Sequence, residues 1–218
     1  MRLLARLCDA GCMRHSRFRI LYSDIGGVLG TNGWDAALRR RVASQFHIDL
    51  EEIEPRHHLM FDSYERGYMS FEEYLRYVFF GSAREFTIEQ VRKFTYDQSI
   101  AWPENIEFFR QVKHANGLKI GLISNEGRGI TEHRVGKFGL RELADFLVIS
   151  HCVRLRKPDR EIWQLALNLA QATPHESIYV DDREMFARVA AEMGFTAVHH
   201  VSLEDTRERL RGLGLEVD

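Results

Sequence analysis

Residues 19–33 read RILYSDIGGVLGTNG. The apolar run at 20–22 has the β-branched and aromatic make-up of a buried strand. It ends at an acid, Asp24, and then gives way to Gly26 and Gly27. A carboxylate at the end of a buried strand is costly unless something charged meets it. Glycines directly after it let the backbone approach a ligand closely. Two residues past Asp24 stands Gly26, a glycine and not a second acid.

Working outward, strand and helix patterns alternate through the second half. LKIGLIS (118–124), DFLVIS (145–150), SIYV (177–180) and FTAVHHV (195–201) are apolar runs of strand length. GITEHRVGKFG (129–139), PDREIWQLALNLAQA (158–172), REMFARVAAEMG (183–194) and LEDTRERLRGLG (203–214) have helical spacing. In the second of these, Pro158 suits the first helical position, and Ile162, Leu165, Ala166 and Leu169 form one apolar face. The third closes on Gly194. Such alternation predicts parallel βαβ units and an α/β fold, a doubly wound (Rossmann-like) parallel sheet with helices on both faces. After the first strand (18–23) the rhythm breaks. Residues 34–46, 49–64, 70–80 and 87–98 all read as helices, the third opening on a Ser70–Glu73 capping-box pattern. The expected organisation is an N-terminal extension at 1–17, an α/β core from 18–30 and 101–218, and a small helical cap at 31–100 inserted after the first strand. The sheet is expected to resume near Trp102.

The totals fit one globular domain with an insertion. The chain has 218 residues and a formal net charge of -2, from 30 Lys+Arg and 32 Asp+Glu. That balance gives no electrostatic footprint for nucleic acid. No window reaches the roughly 20 apolar residues of a membrane span. Three cysteines, Cys8, Cys12 and Cys152, lack the spacing of a disulfide framework or zinc site and suit a reducing, cytoplasmic setting. Cys8 and Cys12 fall in the extension, whose apolar stretch is broken at Arg6 and Asp9 and is too short for a signal peptide. The triplet AGC (10–12) is similar to a lipoprotein cleavage site, but no apolar run leads into it. A flexible extension, with Met13 as an alternative start, is the plainer expectation.

In an open parallel sheet, ligands bind beyond the carboxyl ends of the strands, near the switch in strand order. The residues ending the strands here are Asp24, then Ser124 with Asn125, then Asp181 with Asp182, with Lys157 just before a helix entrance. Acids and a lysine converging at one edge suit a hard cation and an anion bound together. Four segments carry this set: DIGGV (24–28), GLISN (121–125), RKPD (156–159) and IYVDDREMFARVAAEMG (178–194). Their order and spacing resemble the haloacid dehalogenase-like (HAD) hydrolase superfamily over about residues 18–215. The helical insertion resembles that family's small cap, as does YERGYMSFEEYL (64–75). The resemblance implies a phosphatase that works through an aspartyl-phosphate on Asp24. Mg²⁺ would be held by Asp24, Asp182 and the Gly26 carbonyl, with Asp181 binding directly or through a water. Ser124 and Asn125 would contact the phosphoryl group, Lys157 would neutralise it and fix Asp24, and Gly26 and Gly27 would cradle it with backbone N–H groups. The expected partner is a small phosphorylated metabolite, a sugar phosphate by analogy. Oligomeric state is not legible.

The departure from the family pattern is Gly26, where most of its phosphatases carry a second acid. A positioned acid/base contributes about 10²–10⁴-fold. Thr31, Asn32, Glu126 or a cap residue are the candidate replacements, unless the leaving group needs little protonation. Two further readings stay open: dehalogenase-type chemistry at carbon, and a non-catalytic or weakly active ligand-binding or regulatory protein. The intact Asp181–Asp182 pair favours a metal site over the former. Retention of Asp24, Lys157 and both acids argues against the latter. Plainer readings attach to other residues. Ser124 and one of Asp181 and Asp182 also suit helix caps. The pairs His57–His58 and His199–His200 lack a third ligand at helical spacing and read as packing or surface histidines. His151 and Cys152 follow a strand and read as loop residues. The aromatic residues of 68–80 read as cap core.

Overall fold

The computed structural model describes residues 17–217. The segment with Cys8 and Cys12 therefore lies outside the described residues. Five parallel strands form one sheet: β1 (Ile20–Ser23), β2 (Lys119–Ser124), β3 (Phe146–Ile149), β4 (Ser177–Asp181) and β5 (Thr196–His199), in the order β3-β2-β1-β4-β5. β1 is central, with Leu21 beside Ile120 on one edge and Ile178 on the other. The chain winds outward through β2 and β3, then crosses β1 to β4 and β5. The change of direction falls at the carboxyl end of β1.

Period-two alternation sorts the strand residues onto two faces. Leu21, Ile120, Leu122, Ile178 and Val180 face α5 (Pro103–Asn116), α7 (Leu140–Leu143), which follows α6 (Arg128–Lys137), and α11 (Leu203–Gly212), meeting Phe109, Val112, Leu143 and Leu210. Ile20, Tyr22, Ile123 and Tyr179 face α9 (Arg160–Ala170) and α10 (Glu184–Glu192), meeting Trp163, Ala166 and Ala190. Each such apolar side chain contributes about 1.5–3 kcal/mol when fully buried. That burial offsets the cost of holding several charged groups at one end of the sheet.

Between β1 and β2 come α1 (Ala36–Gln45), α2 (Leu50–Glu65), α3 (Phe71–Phe79) and α4 (Ile88–Asp97). They gather around their own apolar cluster, including Leu38, Val42, Ile53, Tyr74, Leu75 and Val91. The capping box at α3 forms: Ser70 Oγ accepts from the Glu73 N–H at 3.1 Å, and the Glu73 carboxylate accepts from the Ser70 N–H at 2.7 Å. The linkers into and out of this layer are zipped together. The Thr31 N–H donates to the Ile100 carbonyl at 2.9 Å, and the Trp102 N–H donates to that of Leu29 at 2.9 Å.

Four sequence expectations are corrected. The sheet does not resume near Trp102. That residue precedes α5, with Pro103 at its first turn, and the strand signal there is one isolated bridge between Gly30 and Ala101. Pro158 is not the first residue of α9, which begins at Arg160 behind Asp159. The buried face of α9 is Ile162, Trp163, Ala166, Leu167 and Ala170, because Trp163 turns the helix and leaves Leu169 exposed. His151 and Cys152 lie on a short helix, α8 (Ser150–Val153), and not in a loop. Among the described residues, no helix is long and apolar enough to cross a membrane.

Candidate active site

Asp24 sits one residue past β1 and is still held to β4, its N–H donating to the Val180 carbonyl at 2.9 Å. One carboxylate oxygen, Oδ1, accepts from the Ile25 N–H at 2.8 Å. The other lies 3.2 Å from Nζ of Lys157. Lys157 is fully buried. Its ammonium also donates to Asp181 Oδ2 at 2.7 Å and to the Ile123 carbonyl at 3.1 Å. Burial alone would lower its pKa, but the Asp181 and Asp24 carboxylates outweigh that and hold it above the usual lysine value. The lysine is therefore a fixed cation between two strand ends.

Asn125 has a different part from the one expected. Its side-chain amide donates to the Lys157 carbonyl and accepts from the Lys157 N–H, both at 2.8 Å. The side chain thus clamps the loop that carries the lysine. Ser124 is buried at the end of β2 and lines the cleft, as its sequence position implied.

The two acids after β4 divide their work. Asp181 is fully buried with both oxygens engaged, Oδ1 by the Arg183 N–H at 2.8 Å and Oδ2 by Lys157 and the Tyr179 hydroxyl. It is the anchor of Lys157, which leaves it poorly placed as a direct metal ligand. Asp182 is the reverse case. Its Oδ1 is buried without a hydrogen-bond partner among the described residues, and its Oδ2 meets only the Asn32 amide, at 3.4 Å. Burial, then the charges of Asp24 and Asp181, push its pKa up to about 6. One oxygen from each of Asp24, Asp181 and Asp182 lies within 4.8 Å of the others. An orphaned carboxylate oxygen facing two more acids fits a hard divalent cation, whose charge would relieve both the desolvation and the repulsion.

The glycines also differ from expectation. The Gly27 N–H already donates to the Gly30 carbonyl at 2.8 Å, so it is not free to cradle an anion. Gly27 is required for another reason: φ is +70°, and a Cβ there would fall 2.2 Å from Asp182 Oδ2. At Gly26 a Cβ would fall 2.6 Å from Asn32 Oδ1. The place of the family's second acid is therefore filled by Asn32.

The strand ends and the helical layer enclose a cleft of about 250 Å³. Asp24, Ser124 and Asn125 line it from the sheet, and Trp34, Arg39, Tyr64 and Glu65 line it from the helical side. That is room for a small molecule and not for a polymer. Of the acid/base candidates named from sequence, Thr31 is excluded by direction. Its hydroxyl donates to the Gln98 carbonyl and accepts from the Ile100 N–H, both at 3.1 Å. Glu126 is buried against the fully buried Arg134, with Thr131 on its other oxygen. Glu65, at the end of α2, went unrecognised. Its signal was an acid on the same helical stripe as Phe61 and Tyr64, both of which line the cleft.

The histidine pairs behave as packing groups. His57 Nδ1 lies 2.7 Å from the Tyr74 hydroxyl, which accepts from the Trp34 indole at 2.7 Å, and burial pushes His57 down to about 4. His199 meets the Asp182 carbonyl at 3.1 Å and His200 the Thr206 hydroxyl at 2.7 Å. Cys152 Sγ lies 3.1 Å from His151 Nε2, but neither residue lines the cleft.

Comparison with known proteins agrees with this architecture. The sequence is 41% identical over 66 residues to haloacid dehalogenase-like hydrolase domain-containing protein 3 of Homo sapiens, a match covering 30% of this chain and 26% of that protein. The chain thus spans about a quarter of that relative's length. The HAD family enzyme BT-2542 of Bacteroides thetaiotaomicron superposes with a TM-score of 0.76 at 20% identity, over 89% of this chain and 98% of that one. Its complex with magnesium and inorganic phosphate gives 0.70 at 19%, over 83% and 93%. The L-2-haloacid dehalogenase of Xanthobacter autotrophicus, with chloropropionic acid covalently bound, gives 0.59 at 18%, over 89% and 83%. At these identities the structural likenesses speak for the fold. The sequence pattern named haloacid dehalogenase-like hydrolase matches residues 40–199, a span that starts beyond β1 and so does not rely on Asp24. With most of its length carrying that pattern, the chain belongs to the haloacid dehalogenase-like hydrolase family.

Proposed function

We propose that this protein is a Mg²⁺-dependent phosphatase of a small phosphorylated metabolite, with Asp24 as nucleophile. The observation that carries the reading is a fully buried lysine shared by Asp24 and Asp181, next to an Asp182 oxygen with no hydrogen-bond partner among the described residues. Asp24 and Asp182, with the Gly26 carbonyl, would hold the cation. When bound, it supplies charge that neutralises the phosphoryl oxygens and makes the phosphorus open to a weak nucleophile. Lys157 holds the Asp24 carboxylate in place and offers positive charge to the transferring group. Ser124 orients that group from the end of β2. The Asp24 oxygen bonds to phosphorus as the ester oxygen leaves. Water then attacks phosphorus, inorganic phosphate departs and the carboxylate is restored. The helical layer over the cleft limits access of bulk water during this cycle.

The magnesium and phosphate complex of the Bacteroides enzyme is in keeping with this reading. The dehalogenase neighbour raises substitution at carbon as the alternative. That chemistry has no use for a cation and would leave the acids around Asp182 uncompensated. The test is hydrolysis of an aryl phosphate with and without Mg²⁺. Turnover is expected only with the metal, and Asp24→Asn is expected to lower it by about 10³-fold or more, as loss of a nucleophile does. Metal-independent release of halide from a 2-haloacid, with no phosphate hydrolysis, would replace this reading with the other.

A further inference from the structure

We propose that Glu65, supplied by the helical layer, is the general acid and base that the core lacks at Gly26. This rests on the phosphatase reading above. The usual place for the acid cannot be refilled without displacing Asn32, so the proton must come from elsewhere. Displacement at phosphorus places the attacking and leaving oxygens roughly in line. Asp24 attacks from the sheet, so the leaving oxygen points away from the strand ends, toward the helices. The acid must therefore stand on the helical side of the cleft.

Two glutamates line the cleft, Glu65 and Glu126. Glu126 is spent on Arg134 and Thr131. Glu65 is 6% exposed, at the carboxyl end of α2; its Oε2 is ion-paired with Arg156, and no other side chain engages the carboxylate among the described residues. The charged groups around it come from several elements. Arg156, before the loop lysine, approaches Oε2 to 2.5 Å. Arg156, Arg183 and Lys157 draw its pKa down, and Glu126 pushes it up. Burial exceeds them all and raises it to about 7. A carboxyl poised there exists in both protonation states at neutral pH, which is what a group that gives and then takes a proton requires.

The cycle balances. As the Asp24 oxygen bonds to phosphorus, the bond from phosphorus to the leaving oxygen breaks, and that oxygen takes the proton of the Glu65 carboxyl. The resulting Glu65 carboxylate then removes a proton from the water that attacks the phospho-aspartate. The bond between phosphorus and Asp24 breaks, its electron pair returns to Asp24, and Glu65 is again protonated.

The experiment compares an alkyl and an aryl phosphate on wild type and Glu65→Gln, with Mg²⁺ present. On the alkyl ester, kcat/KM of the variant falls by about 10²–10⁴-fold. The aryl leaving group needs no proton, so its first step survives, while attack by water slows. The variant therefore releases a rapid burst of one equivalent of aryl alcohol and then stalls with phosphate on Asp24. Because the first step needs protonated Glu65, wild-type kcat/KM on the alkyl ester declines as pH rises through about 7, and that limb is absent in the variant. Glu65→Asp restores part of the alkyl activity, and melting curves of both variants report their folding. A variant that handles both esters as wild type does, or that is slowed equally on both without a burst, overturns the assignment while leaving the phosphatase reading in place. A wild type inactive on both esters overturns the phosphatase reading and this assignment together.

Discussion

Asp182 is the residue on which structure and chemistry pull hardest against each other. Its folded-state pKa of about 6 lies above the ordinary 3.8, so the fold disfavours its ionised form. The unfolded chain releases that proton first. The metal-free protein therefore loses stability as pH rises from 3.8 through about 6, by on the order of 1–3 kcal/mol from this group. Asp182→Asn is expected to stabilise the metal-free protein at neutral pH and, at the same time, to abolish stabilisation by Mg²⁺. In wild type that stabilisation reaches about 2.7 kcal/mol at a hundredfold excess of metal over its dissociation constant. Thermal unfolding of both proteins across a Mg²⁺ titration reads the two opposite signs. A variant less stable than wild type without metal, and still stabilised by Mg²⁺, would show that Asp182 is a structural group.

At the scale of elements, the helical layer and the sheet are specified in different ways. The layer depends on helix ends written into the sequence. Ser70 and Glu73 close α3, and Thr87 and Gln90 close α4 with a second reciprocal pair. Ser70→Ala is expected to cost about 1 kcal/mol, since it leaves a first-turn N–H without its acceptor. Urea unfolding measures it, and an unchanged midpoint would mean the cap contributes nothing. These signals are local, which is why all four helices were legible from spacing alone. What was not legible depends on long-range packing. The 100–102 segment looks like a strand, yet it only pairs with 29–31 across the linkers before α5 begins. The face of α9 turns on Trp163, which packs edge-on against Tyr179 of the facing sheet surface, and nothing local announces that.

For the whole molecule, the site is the meeting of two layers. The strand ends were readable because βαβ winding sends Asp24, Ser124, Lys157 and Asp182 to one edge whatever the loops do. The division of labour among them was not, because it depends on who bonds whom: Asn125 clamps Lys157, Asp181 anchors it, and Asn32 fills the space beside Gly26. The helical side was least legible, since Glu65 meets the cleft only once α2 has docked. Arg66 pairs with Asp159 at 2.7 Å, and Arg156 with Asp62 at 3.1 Å, along that seam. Such part-exposed pairs are worth about 1 kcal/mol or less each. Charge across the seam therefore adds only modestly to the docking of the helical layer.

The account turns on a covalent bond between Asp24 and phosphorus. The most direct measurement is mass spectrometry of the acid-quenched protein, mixed with excess aryl phosphate in the presence and absence of Mg²⁺. The prediction is a phosphoryl group on the peptide carrying Asp24, formed only with the metal and absent in Asp24→Asn. Turnover that proceeds with no phosphoryl group on that peptide, or with one on another residue, would contradict it.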